Sequence, residues 1–226
     1  MNRSRNKPMR LPSMSTIVAL SLLAWGGQAG ANAGRRQVDH AETAQVDQQT
    51  EDCSDPHVIC GTEGDDRIVG TNAHETIITY GGDDFVDGRG GDDDIRLGPG
   101  NDVAVGGNGH DVVRGKSGDD TIRGNSGWNT LRGGAGNDIL RGTGGNDVLY
   151  GWNGADILRG DGGRDNLHGG KHADIIRGGD DDDILTGGRG NDGLHGNAGD
   201  DTLDCGRGRD TGRGGKGRDD VRRCER

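Results

Sequence analysis

Aspartate recurs at a fixed spacing through most of this 226-residue chain, and a regular row of carboxylates attracts cations. From residue 61 to residue 222 the sequence repeats every nine residues without an insertion, which gives 18 units. Clear copies are GGNGHDVVR at 106–114 and GGAGNDILR at 133–141. Position 6 of the unit is Asp in 16 copies, positions 1 and 4 are each Gly in 15, and position 8 is aliphatic in 17. This register indicates a repeat architecture and argues against an unstructured polyelectrolyte, which needs no fixed spacing.

The composition does not provide a conventional hydrophobic core. The chain has 48 glycines, 3% aromatic residues and a formal net charge of −11. Such a composition is typical of disordered chains unless something other than apolar burial holds them together. The acidic excess also repels nucleic acid phosphates, so we expect no nucleic acid partner.

No catalytic constellation stands out in the sequence. The histidines of HGGKH (168–172) and HETII (74–78) lack the spacing of a zinc-protease helix, and His195 stands apart, so we interpret these histidines as surface residues. No nucleophile elbow, P-loop or dinucleotide-binding glycine pattern occurs. We therefore predict a protein without catalytic activity of its own.

The unit predicts a turn followed by a short strand. Glycine at positions 1 and 4 permits positive φ, so we expect positions 1–6 to turn. Positions 7–9 are predicted to form a strand with only position 8 pointing inward. Two units are needed to close one coil of 18 residues, so 18 units give nine coils, a stack about 40 Å long.

The unit resembles the RTX (hemolysin-type) nonapeptide repeat, G-G-x-G-x-D-x-U-x, over residues 61–222. The resemblance implies an all-β fold: a right-handed parallel β-roll, or β-solenoid, of about nine two-repeat coils. It also implies Ca²⁺ ions between stacked turns, bound by position-6 carboxylates and backbone carbonyls, since Ca²⁺ prefers six to eight oxygen ligands.

An 18-residue coil sorts these implied ligands onto two edges. One edge carries Asp66, Asp84, Asp102, Asp120, Asp138, Asp156, Asp174, Asp192 and Asp210. The other carries Asp93, Asp111, Asp147, Asp165, Asp183, Asp201 and Asp219, with Glu75 and Asn129 as weaker ligands. Nine turns on each edge leave eight gaps, so we expect up to about 16 ions. Occupancy is expected to fall near Glu75, Asn129, Asp174, Asp183 and the C-terminal end, where residues depart from the consensus.

Folding and Ca²⁺ binding are predicted to be one event. The core has one aliphatic side chain for every nine residues. Without metal, each edge would stack like charges at the spacing of neighbouring strands.

The first 52 residues are predicted to lie outside the roll. Residues 1–33 resemble a Sec-type signal peptide, with four basic residues before the apolar run IVALSLLAW. We expect cleavage at Ala31-Asn32-Ala33, with Ala29-Gly30-Ala31 as the alternative site. The apolar run is too short for a transmembrane span. We expect residues 34–52 to be a flexible, disordered linker. We expect the protein to be secreted, either to the extracellular space or to a periplasm.

The four cysteines allow three pairings from sequence alone. In an 18-residue coil, Cys205 and Cys224 fall on adjacent coils near one edge, and Cys53 and Cys60 close a small loop. We therefore predict the disulfides Cys53–Cys60, within an N-terminal cap at 53–60, and Cys205–Cys224, which joins the roll to a C-terminal cap at 223–226.

The predicted function is that of a secreted calcium-binding repeat protein with a structural or extracellular interaction role. The alternatives are an accessory module for a secreted enzyme or toxin, and a polysaccharide-binding surface protein. Arginines at position 9 suggest an anionic polysaccharide or a cell surface as partner, with a solvated face as the competing interpretation. They are Arg123, Arg141, Arg159 and Arg177 on one sheet and Arg96, Arg114 and Arg132 on the other.

Overall fold

The structure is a computed structural model that describes residues 53–225, and this part of the chain is all β with no helix. It contains 19 strands. In chain order they are β1 Val58–Cys60, β2 Arg67–Val69, β3 Thr76–Ile78, β4 Phe85–Asp87, β5 Asp94–Arg96, β6 Val103–Asn108, β7 Val112–Ser117, β8 Thr121–Ser126, β9 Thr130–Ala135, β10 Ile139–Gly144, β11 Val148–Asn153, β12 Ile157–Gly162, β13 Asn166–Lys171, β14 Ile175–Asp180, β15 Ile184–Arg189, β16 Gly193–Ala198, β17 Thr202–Arg207, β18 Thr211–Lys216 and β19 Asp220–Arg222.

The strands alternate between two parallel sheets, as the repeat predicts. The odd-numbered strands form a ten-stranded sheet and the even-numbered strands a nine-stranded sheet. Each residue pairs with the residue 18 positions further on, for example Leu140 with Leu158 and Leu149 with Leu167. The chain is therefore a parallel β-solenoid of about nine turns, and the coil length of two units is confirmed.

The strands are longer than the repeat pattern indicates. From β6 to β18 each has six residues, so that pairing continues through positions 1–3 of the following unit. In β10, for example, Thr143 and Gly144 still pair with Asp161 and Gly162 of β12. The predicted strand over positions 7–9 is therefore too short in these coils. The backbone still bends at position 2, where φ is positive, for example 96° at Thr143 and 74° at Asp161. Only positions 4–6 lie outside the strands.

The core consists of two facing stacks of position-8 side chains. Most of these side chains are fully buried, including Leu131, Leu140 and Leu149. Leu97 and Cys205, which replace position-1 glycines, are also buried in this core. Ile59 of β1 packs against it from before the first unit, and β1 pairs with β3.

The predictions for residues 1–52 lie outside the described residues. Within residues 53–225, no helix is long and apolar enough to cross a membrane.

Candidate metal centre

The position-6 carboxylates are built into a ladder of hydrogen bonds that joins successive coils. The backbone N–H of Asp102 donates to Oδ1 of Asp120, 18 residues further on, at 2.9 Å. On the other edge, the N–H of Asp147 donates to Oδ1 of Asp165 at 2.8 Å. Each bond fixes one carboxylate oxygen against the preceding coil, so it also fixes the direction of the second oxygen.

The second oxygen, Oδ2, is buried without a partner. Fourteen aspartates of the described chain, each at most 2% exposed, have an Oδ2 that accepts no hydrogen bond. They are Asp84, Asp93, Asp102, Asp111, Asp120, Asp138, Asp147, Asp156, Asp165, Asp174, Asp183, Asp192, Asp201 and Asp210. A buried carboxylate oxygen with no donor is costly, and a bound cation satisfies it.

Backbone carbonyls converge on the same places. A Cβ added at Gly115 would contact Oδ2 of Asp120 and lie 2.7 Å from the carbonyl oxygen of Gly133 in the next coil. A Cβ at Gly196 would contact Oδ2 of Asp201 and lie 2.6 Å from the carbonyl oxygen of Gly214. Glycine at position 1 thus leaves a gap lined by a carboxylate and a carbonyl from neighbouring coils. Oxygen donors of these two kinds are the ligands that Ca²⁺ prefers.

The electrostatics of the turns favour a positive ion. Burial, together with the carboxylates of adjacent coils, raises the carboxyl pKa of Asp174 and Asp183 to about 8. Burial likewise raises the pKa of Asp120 and Asp147 to about 7. These carboxyls resist ionisation near neutral pH unless a cation offsets their charge.

The two predicted weak ligands differ from the others in the structure. Oδ1 of Asn129 accepts the N–H of Asp111 at 3.1 Å, as the ladder requires, but Nδ2 donates to Oδ1 of Asp147 at 3.0 Å. An N–H donor therefore stands where the aspartates present an acceptor. The longer Glu75 turns back on its own turn, where its carboxylate accepts the N–H and the hydroxyl of Thr71. Both contacts remove an oxygen that a metal would need.

The first and last units differ as well. Oδ2 of Asp66 accepts the N–H and the hydroxyl of Thr62, at 2.6 and 3.0 Å. Asp219 is only partly buried. Two substitutions at position 4, His172 and Asp181, adopt positive φ of 76° and 71°, which is strained for side-chain-bearing residues. Beside them, Oδ1 of Asp174 and Oδ1 of Asp183 nevertheless accept the N–H of the preceding coil at 2.9 Å, and both Oδ2 atoms are buried without a partner, as in the other turns.

The carboxylates of each edge stand in single file. In residues 53–225, no three His, Cys, Asp or Glu side chains come together as a metal-binding cluster. A bound ion would therefore draw carboxylates from successive coils and complete its shell with backbone carbonyls.

A second ladder at position 5 was not apparent from the sequence. The N–H of Asp83 donates to Oδ1 of Asp65 at 2.9 Å, and Asn101 donates in the same way to Asp83 at 2.8 Å. His110 can take the same role, because its Nδ1 accepts the N–H of Trp128 at 2.8 Å. Asp, Asn and His share an acceptor two bonds beyond Cβ, and this mixture conceals the row in a search for one residue type.

Both predicted disulfides are present. Cys53 pairs with Cys60, and the Cα atoms are 5.9 Å apart. Cys205 pairs with Cys224, with a Cα–Cα distance of 5.1 Å. The second disulfide lies beside Gly212, where position 8 carries no side chain, and its sulfur atoms occupy the space that an aliphatic group fills elsewhere.

The profile of the RTX calcium-binding nonapeptide repeat matches this sequence at 69–104, 105–140, 132–167, 159–194 and 194–221. The chain belongs to the RTX repeat family. RTX nonapeptide repeats bind Ca²⁺, so this chain is a calcium-binding repeat protein, and its solenoid is a structural module. No curated protein matches the chain significantly.

Proposed function

We propose that this RTX protein is a secreted calcium-binding roll that folds as it binds several Ca²⁺ ions, with a structural or interaction role outside the cell. The observation that carries the proposal is the set of fourteen buried Oδ2 atoms that no group in residues 53–225 satisfies. A conventional structural carboxylate would have donors on both oxygens.

The proposed ligands are the position-6 aspartates with the carbonyls of position 1 in the adjacent coil. Eight gaps between nine turns on each edge set an upper limit of about 16 ions. Glu75 and Asn129 each lack a free acceptor oxygen in the described geometry, and Oδ2 of Asp66 already accepts two hydrogen bonds from Thr62, so fewer sites are expected to fill.

The absence of catalytic activity is part of the same proposal. The regularly spaced carboxylates are held in backbone ladders and directed at the proposed metal sites. The fourteen buried aspartates are thereby committed to metal and are not available as the acid and base that general acid–base catalysis needs. We further propose export by the Sec route, based on the N-terminal segment; RTX repeat proteins are typically secreted.

Calcium titration of the purified chain tests the proposal. Isothermal titration calorimetry is expected to show several Ca²⁺ ions per chain, with Mg²⁺ unable to replace them, since Mg²⁺ demands a tighter octahedral shell. Asp120→Asn is expected to remove about one ion, because it replaces the unpartnered oxygen by an N–H donor.

Asp119→Asn provides the matched control. It removes the same charge from the adjacent, exposed position and keeps the acceptor oxygen that Asn137 uses at 2.7 Å. It is expected to leave the stoichiometry unchanged. Binding of one ion or none, or an equal effect of the two substitutions, would contradict the proposed sites.

A further inference from the structure

A basic groove crosses the ten-stranded sheet near its C-terminal end. It has a volume of about 650 Å³ and runs over β11, β13, β15 and β17. Its charged lining residues are Lys171, Arg189, Arg207 and Arg223, and no carboxylate lines it. A local cationic surface on a chain of net charge −11 needs an explanation beyond solubility.

Three of these cations form a row. Lys171 pairs in register with Arg189, and Arg189 with Arg207, so the row follows the strand spacing of about 4.8 Å. All three side chains are exposed. Within residues 53–225 they make no ion pair and no side-chain hydrogen bond. Arg223 differs, because it is paired with Asp204.

The rest of the groove is shaped for a flat ring. Its floor is formed by Gly170, Gly188 and Gly206, which present backbone instead of side chains. At one end Trp152 is 55% exposed and stacks on Tyr150, with ring centroids 5.8 Å apart. Tyr150 in turn stacks on His168 at 5.1 Å, which holds the aromatic surface in place.

We propose that this groove binds an acidic polysaccharide, a proposal that rests on the interaction role above. A uronate or sulfated pyranose offers one apolar ring face for an aromatic platform and one anion for a cation row. A single-stranded nucleic acid fits less well, because it is held by stacking successive bases on several aromatic side chains, and Trp152 is the one aromatic residue of the described chain that lines the groove. A peptide would need apolar pockets for anchoring side chains, and the glycine floor has none.

The arginine row expected from sequence is the weaker candidate. Arg141 is already paired with Asp161, and Asp180 lines the same depression of the nine-stranded sheet. These carboxylates would face an incoming polyanion. The remaining members, Arg123, Arg159 and Arg177, are exposed and supply a control with the same number of charges.

Binding of polygalacturonate and heparin to the full chain in millimolar Ca²⁺ tests the proposal, with dextran as the neutral polymer. The groove variant is Lys171→Gln/Arg189→Gln/Arg207→Gln, and the control variant is Arg123→Gln/Arg159→Gln/Arg177→Gln. We expect the groove variant to lose tenfold or more in affinity, Trp152→Ala to lose severalfold, and the control to change less than threefold. The two polymers distinguish a carboxylate from a sulfate as the preferred anion.

Equal losses in both triple variants would show general electrostatic attraction and overturn the groove. So would equal binding of dextran, or tighter binding of a single-stranded oligonucleotide that the groove variant abolishes. Circular dichroism of each sample shows, independently of polymer binding, whether the roll is folded. A folded, calcium-loaded roll that binds no polyanion would overturn this inference and leave the calcium proposal standing.

Discussion

The two oxygens of each position-6 carboxylate have different tasks. Oδ1 of Asp138 accepts the backbone N–H of Asp120 at 2.9 Å, while Oδ2 of the same group is buried and unpartnered. The sequence predicted which residues carry the carboxylates, because the spacing is strict. It did not predict this division between the oxygens, which depends on the direction of the N–H in the preceding coil.

Asn129 provides a test at the scale of one residue. Asn129→Asp replaces an N–H donor by an acceptor and adds the missing carboxylate to its edge. We expect one additional Ca²⁺, which stabilises the roll by about 2.7 kcal/mol when Ca²⁺ is at a hundred times its Kd. Calcium titration counts the ions, and urea titrations of both chains in saturating Ca²⁺ measure the difference in stability.

The matched control is Asn137→Asp. Asn137 is exposed at position 5, where Oδ1 accepts the N–H of Ala155 at 2.9 Å, and aspartate keeps that acceptor. It adds the same charge and is expected to bind no further ion. An equal response of the two variants to Ca²⁺ would mean that net charge, rather than the site, sets affinity.

The raised pKa values predict how pH acts on the metal-free roll. Burial raises the folded-state pKa of Asp183 from 3.8 to about 8, so the folded chain binds more protons than the unfolded chain between these values. The stability that protonation gives is complete below about 3.8 and is lost as pH rises through about 6 to 8. Circular dichroism in EDTA across this window should show the β signal falling as pH rises, so that the chain is largely unfolded at neutral pH.

Calcium affinity is expected to change in the opposite direction. Protons and Ca²⁺ compete for the same oxygens, so the Ca²⁺ concentration at half-saturation should fall as pH rises through the same window. An affinity that does not depend on pH between these limits would be inconsistent with buried carboxylates as the ligands.

At the scale of the turn, two glycines of β10 have different requirements. A Cβ added at Gly142 would lie 2.8 Å from Cγ and 2.9 Å from Cβ of Asp147. A Cβ added at Gly144 would meet nothing closer than the Asn125 carbonyl oxygen at 4.0 Å. The repeat consensus conceals this difference, since position 1 appears there only as a turn glycine.

Gly142→Ala is therefore expected to cost about 1–3 kcal/mol through overpacking and to weaken Ca²⁺ binding. Gly144→Ala, two residues away, is expected to be neutral or slightly stabilising. Thermal melting in saturating Ca²⁺ and the calcium titration midpoint measure the two effects. Equal melting temperatures for both variants would show that the gap beside Asp147 is not needed.

The ends of the roll illustrate what the spacing could predict. The 19-residue separation of Cys205 and Cys224 predicted their pairing, because it is one coil plus one residue. That the disulfide also fills the space beside Gly212 was not predictable, since it depends on where the sulfur atoms point. The sequence also did not indicate where the side chain of Leu97 lies. This residue breaks the glycine pattern, yet its side chain simply joins the core.

For the whole molecule, the sequence predicted the coil length, the two sheets and the facing aliphatic stacks. These follow from a period of nine and an inward position 8, which leave few alternatives. The sequence did not predict that the strands extend through positions 1–3. It did not predict the basic groove either. Both depend on residues outside the consensus, such as Trp152 and Arg189. These residues come together only when the coils are stacked.

The same stacking determines what holds the molecule together. The core is a double file of single aliphatic side chains, too thin to offset chain entropy without help. Both edges carry carboxylates in adjacent coils, whose repulsion opposes folding unless cations intervene. We therefore propose that calcium is the component that makes this acidic chain a folded object.

Far-ultraviolet circular dichroism of the purified chain at neutral pH tests this claim most directly. In EDTA the spectrum is predicted to be that of a largely unfolded chain. Millimolar Ca²⁺ is predicted to produce a cooperative gain of β signal, and Mg²⁺ is not. A fully formed β spectrum in EDTA would contradict the account.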